Sequence, residues 1–186
     1  LRPSKQLDYL YPYWRKYMKQ DKIGKEITSK FGNQLRTRVN GIFIQDEKIL
    51  MIRHLMGDDR IFWSVPGGGM NYGSDAKNNL KREFAEETGL TVEIGDFLFV
   101  HEFLRPPLHA IELFFEVKSG SGQVKLGKDP ELEDNHQIIT EIAWMSISEL
   151  RSLPPESVHQ IFWGINSLKD LGLWKGYFNF ENNYLK

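Results

Sequence analysis

Residues 65–90, Val-Pro-Gly-Gly-Gly-Met-Asn-Tyr-Gly-Ser-Asp-Ala-Lys-Asn-Asn-Leu-Lys-Arg-Glu-Phe-Ala-Glu-Glu-Thr-Gly-Leu, constrain this chain more than any other stretch. Pro66 and the run Gly67 to Gly69 are costly inside a helix and punctuate the backbone. Ser74 or Asp75 can cap a helix start. Gly89 stands where a helix in that register would stop. The stretch therefore reads as a short strand, a glycine loop, one helix and a glycine stop. Glu83, Glu86 and Glu87 are spaced i, i+3, i+4, which at about 3.6 residues per turn puts three carboxylates within an arc of roughly 100°. Leu80 and Phe84 form the apolar stripe beside them. Like charges so placed cost an isolated helix about 0.2–0.5 kcal/mol per pair. A hard cation, Mg2+ or Mn2+, would relieve that strain through the carboxylate oxygens. A solvated acidic face is the competing reading of an isolated Glu-x-x-Glu-Glu. Arg82 can pair with Glu86 one turn on.

The rest of the chain bounds what such a site can serve. The 186 residues are 40% hydrophobic, enough for one domain with a real core. With 24 basic and 25 acidic residues, the net charge of -1 gives no case for binding a nucleic acid polymer or a membrane surface. The chain has no cysteine, so disulfide and thiol chemistry are excluded, which fits a cytoplasmic protein. No apolar run approaches the roughly 18 residues of a membrane span, and the start carries no secretory pattern.

Along the chain, Leu7, Leu10, Tyr13, Trp14, Tyr17 and Met18, then Ile23, Ile27 and Phe31, recur at helical spacing. They predict one or two amphipathic helices over residues 1–34, packing on the main domain or on a second copy in a homodimer, or folding back as a lid. Residues 36–44 and 49–54 read as two strands joined by a polar turn into a hairpin. Arg36, Arg38, Arg53 and His54 lie on them as candidates for an anionic substrate, with Arg38 and Arg53 preferred. Ile61 to Val65 is a strand, with Trp63 in the core or the pocket wall rather than a stacking platform. Tyr72 is the loop residue best placed to meet a ligand. Strands are expected at 90–94 and 97–104, with Gly95-Asp96 as the turn between them, and again at 110–118 and 138–145. Pro106-Pro107 breaks the pattern, Ser119 to Gly122 reads as flexible, and residues 127–137 form an acidic loop. A helical turn begins at Ser148, and residues 156–171 read as a closing helix. This order predicts an α/β sandwich with helices on a mixed sheet.

Residues 68–90 closely resemble the Nudix box, whose pattern is Gly, five residues, Glu, seven residues, then Arg-Glu-apolar-x-Glu-Glu-x-Gly-apolar. Gly68 takes the first place, and Arg82 to Leu90 match the second half throughout. The flanks are similar as well: Trp63-x-x-Pro66-Gly67-Gly68 before the box, and Glu141-x-x-Trp144-x-x-x-x-Glu149-Leu150 after it. One place departs: the pattern's first glutamate is Ser74 here, which removes the partner the family gives Arg82. The resemblance implies a Nudix-like α/β/α sandwich over residues 35–186, with residues 1–34 as an N-terminal helical extension. It implies hydrolysis of the pyrophosphate bond of a nucleoside diphosphate linked to another group. The site residues it implies are Glu83, Glu86 and Glu87 as metal ligands, usually for Mg2+, with Arg82 beside them. Arg38, Arg53, Gly68, Gly69, Tyr72 and Glu112 are the expected substrate contacts. The general base is sought at Glu87 or Glu86, then Glu131, Glu133, Asp134 or Glu141, then Glu112. Pro106, sixteen residues beyond the box, matches a place where many ADP-ribose pyrophosphatases carry proline. The alternative function is a nucleotide-binding sensor that keeps the fold with a weakened site.

Overall fold

The computed structural model describes residues 22–57, 60–127 and 138–180. The helical pattern from Leu7 to Met18 and the acids Glu131, Glu133 and Asp134 lie outside the described residues. Helix α1 (Lys22–Phe31) leads into β1 (Leu35–Ile42), and β2 (Ile44–Gln45), β3 (Lys48–Leu55), β4 (Ile61–Ser64) and β5 (Gly67–Gly69) follow. Helix α2 (Ala76–Thr88) is followed by β6 (Thr91–Arg105), β7 (Leu108–Ser121), β8 (Ile139–Met145), α3 (Ile147–Ser152), α4 (Asp170–Leu173) and β9 (Gly176–Phe178).

Two sheets are formed. One runs β5-β1-β7-β6-β9 and mixes parallel with antiparallel pairs; in the other, β3 pairs with β2, β4 and β8. The mixed α/β architecture is the one expected, but four local expectations change. The hairpin is only β2–β3, turning through Asp46 and Glu47, both at positive φ. Strand β1 instead joins the first sheet, parallel to β7, because its buried end carries Val39 and Asn40 between two covered faces. Gly95-Asp96 is not a turn: β6 runs through it with register shifts, as a bulge does. Ser119 to Ser121 continue β7 against Thr91 to Glu93. Residues 156–171 form no closing helix but two 3-10 turns, Pro155–Ser157 and Gln160–Phe162, and then the short α4. Val158, Ile161, Phe162, Ile165 and Leu168 are all buried as their spacing demands. Gly164, at φ 76°, turns the backbone out of a helical path.

Helix α2 is fixed at both ends. The Asp75 carboxylate accepts the Asn78 N–H at 2.9 Å, and Gly89 closes the helix in the left-handed region at φ 72°. Leu80 and Phe84 are fully buried beside Val39, Phe43 and Leu50. Each such side chain contributes about 1.5–3 kcal/mol. This packing sets α2 on β1, β5 and β6 with its carboxylates toward the glycines of β5.

Candidate active site

The site is built on one strand pair and one helix. Strand β5 is the expected glycine loop drawn out as three residues against β1, with Arg38 opposite Gly69 and Asn40 opposite Gly67. Helix α2 closes on it. The Gly67 N–H donates to Glu87 Oε2 at 2.9 Å. Gly68 faces the Glu83 carboxylate so closely that a Cβ there would overlap it. Glycine at 68 is thus a matter of room, since no side chain fits between the strand and Glu83.

Arg82 ties the carboxylates together. Its guanidinium contacts Glu83 Oε1 at 2.6 Å and Glu86 Oε2 at 2.7 Å, and donates to the Gly69 carbonyl at 3.0 Å. The substitution at Ser74 therefore leaves no stranded cation. Asn79, which no sequence cue singled out, supports the loop instead. It accepts the Asn71 N–H at 2.9 Å, donates to the Ser74 and Asp75 carbonyls at 2.9 Å, and lies 3.5 Å from the Arg82 guanidinium. Burial pushes the Glu83 carboxyl up to about 7, against the opposing pull of Arg82 and Arg38. A carboxylate so desolvated gains from a cation on its oxygens. Glu83, Glu86 and Glu87 all line one cleft, and their fit to a divalent ion such as Mg2+ rests on the hard oxygen donors they offer there.

A cleft open to solvent joins these residues to the floor of the first sheet. Arg36, Arg38 and Asn40 alternate along β1 on the cleft side, and Ala110, Glu112 and Phe114 stand opposite them on β7. Among the expected substrate contacts, Arg38, Gly68, Gly69 and Glu112 line the cleft. Arg53 and Tyr72 are not among its lining residues. Arg53 bonds Thr140 Oγ1 at 3.2 Å across the β3–β8 pair, and Tyr72 is fully exposed in the loop before α2. Glu141 stands opposite Arg53 in that same pairing and is exposed.

Glu112 is the centre of a buried network. His101 Nδ1 lies 2.8 Å and His159 Nε2 2.9 Å from its Oε2, while Arg38 Nε is 3.7 Å from Oε1. Two imidazoles and a carboxylate are a set that zinc takes, and their ligand atoms lie within 4.8 Å of one another. The Ile161 N–H donates to His159 Nδ1 at 3.3 Å, which leaves the ring proton on Nε2, aimed at Glu112. Burial pulls His159 below the usual imidazole range by more than Glu112 raises it, so the ring is neutral near pH 7. Burial works to raise Glu112, but its contacts with His159 and His101 more than offset it and hold it well below the carboxylate range. Glu112 is thus a fixed anion and a poor general base. Spacing rules do not single out His101 or His159; for His101, a histidine interrupting the apolar run Leu98 to Leu104 is the available signal.

Comparisons with known proteins give the family and the fold. The NUDIX domain model matches residues 35–163, more than half of the chain, and the chain belongs to the Nudix family. An ADP-ribose pyrophosphatase of Methanocaldococcus jannaschii is 31% identical over 93 residues, covering 49% of this chain and 55% of that protein. A putative ADP-ribose pyrophosphatase of Bacillus subtilis, YjhB, is 29% identical over 103 residues, covering 53% of this chain and 46% of its own. The chain thus spans about half the length of these relatives. In fold, the crystal structure of a MutT protein from Methanosarcina mazei Go1 superposes with a TM-score of 0.57 at 19% identity, covering 75% of this chain and 94% of that one.

Proposed function

We propose that this chain hydrolyses the pyrophosphate bridge of a nucleoside diphosphate linked to another group, with ADP-ribose or a related nucleotide sugar as the substrate class. The observation that carries the reading is that Glu87 and Glu83 sit against the β5 glycines, with Glu86 and Arg38 lining the same cleft. The two partial relatives named for ADP-ribose support the substrate class.

Water adds across the P–O–P bridge, leaving two phosphate monoesters. Positioning and electrostatics carry most of such a reaction. Glu83, Glu86 and Glu87 would hold a divalent ion, Mg2+ or Mn2+, which would neutralise phosphoryl charge and acidify a water. Arg38, whose Nη2 donates to the Gly67 carbonyl at 3.0 Å, presents positive charge to the diphosphate at the mouth of β5. Glu112 holds Arg38 from behind. Glu86 is the least buried of the three carboxylates, so it is the group to accept a proton from water.

The test is a nucleotide panel with Mg2+, assayed for release of nucleoside monophosphate. Turnover of ADP-ribose or a nucleotide sugar, and loss of most of it in Glu86→Gln, are expected. Nucleotide binding without turnover on any substrate would overturn the enzyme in favour of a sensor.

A further inference from the structure

The cleft has two chemically different ends. One holds the glycines, Arg82 and the three helix carboxylates; the other is walled by Ile27, Phe31, Met56, Phe62, Phe103 and Leu108. Ile27 and Phe31 belong to α1, which precedes the residues matched to the family, 35–163. This helix is attached to the sheet. Ile27 is buried with Phe103, Leu108 and Ala110, and the Asn33 N–H donates to the Pro107 carbonyl at 2.8 Å. The proline turn between β6 and β7 therefore anchors the end of α1.

At this end the Arg36 guanidinium lies over the Phe31 ring, 4.7 Å from its centroid. Phe31, Met56 and Phe62 are only partly buried, so the wall is concave, apolar and incompletely covered. Arg36 and Arg38 point to the same side of β1, roughly 7 Å apart along the strand, about the distance a ribose puts between a base and its phosphate.

We propose that α1 completes the cleft as a nucleobase subsite, in which the Phe31–Arg36 stack receives the flat face of the base while Arg38 meets the phosphate. This deepens the reading of the site as a nucleotide hydrolase and rests on it. A planar guanidinium packed on an aromatic ring offers both stacking and cation–π attraction to a heterocycle. A pyrimidine or purine ring fills an apolar wall that a sugar or a bare phosphate would leave wet.

The test compares ligands without a P–O–P bridge, so that hydrolysis cannot intervene. AMP, GMP, CMP and UMP are titrated by calorimetry against ribose 5-phosphate, on the wild type and on Phe31→Leu and Arg36→Lys. Phe31→Leu keeps the apolar packing of α1, Arg36→Lys keeps the charge, and thermal melts check that both fold. At least one nucleotide should bind the wild type more tightly than ribose 5-phosphate. Each variant should weaken that nucleotide at least about five-fold, the low end of base–aromatic stacking, and leave ribose 5-phosphate unchanged. Equal binding of all ligands by the wild type, unchanged nucleotide binding in both variants, or equal weakening of nucleotide and ribose 5-phosphate would each overturn the subsite. Base-dependent binding with no pyrophosphate turnover would instead sink the catalytic reading and leave the subsite standing.

Discussion

Replacing Asn79 by alanine removes the side chain that holds the loop ahead of α2. Asn79 is 1% exposed and makes three hydrogen bonds of 2.9 Å, to the Asn71 N–H and to the Ser74 and Asp75 carbonyls. Each is worth about 0.5–1.5 kcal/mol net. Asn71, Ser74 and Asp75 are themselves exposed, so water recovers part of the loss, and the expected cost is about 2–3 kcal/mol. For a chain of this size that is a fall in Tm of about 4–12 °C. Thermal denaturation followed by circular dichroism measures it. Asn79→Asp separates the contributions: it can still accept from Asn71 but sets a carboxylate against two carbonyl oxygens, so it should be no more stable than Asn79→Ala. Ser74→Glu in the wild-type background should change kcat by less than about two-fold, because Arg82 already has Glu83, Glu86 and the Gly69 carbonyl. An Asn79→Ala protein that melts within about 2 °C of wild type, or a Ser74→Glu protein that gains ten-fold in rate, would refute the claim that Asn79 replaces the missing glutamate.

Two further outcomes follow from the same geometry. Gly68→Ala should lower kcat by at least about ten-fold while moving Tm little, because the added Cβ displaces the flexible Glu83 carboxylate rather than backbone; steady-state kinetics beside a thermal melt would show it, and a near-normal rate would remove Glu83 from the site. His54, which faces Ser64 Oγ at 3.0 Å, is pulled down to about 3, first by burial and then by the charge of Arg38. The unfolded imidazole titrates near 6.5, so between those values the unfolded chain binds more protons and stability falls as pH falls. The loss is at most about 2 kcal/mol at pH 5. Urea unfolding at pH 7 and pH 5 should show a smaller pH effect in His54→Gln than in wild type, and an identical effect in both would contradict the assignment.

The spacing of Glu83, Glu86 and Glu87, the cap at Asp75 and the stop at Gly89 are local properties, and the chain carries them in a single stretch. The helix, its apolar stripe of Leu80 and Phe84, and the acidic face follow from a period of about 3.6 residues. What period cannot express is which strand lies beside which. The Gly95-Asp96 bulge, the parallel pairing of β1 with β7 and the breaking of 156–171 into short turns instead of one closing helix all depend on partners distant in the chain. So does the site away from the box. Arg38, Glu112 and His101 form one rank across β1, β7 and β6, and His159 joins it from a segment 47 residues beyond Glu112. Arg38 and Arg53 look alike as strand arginines, and only the sheets put one in the cleft and the other in the β3–β8 pair, outside the cleft lining. Sequence alone determined that three carboxylates share a helix face next to a run of glycines. Tertiary structure decided which oxygens face those glycines, that Asn79 ties down the loop ahead of α2, and that α1 walls the far end of the cleft. The physical reason is that side-chain spacing is set within a few residues, whereas burial, proton placement and cleft shape are set by contacts the chain makes only when folded.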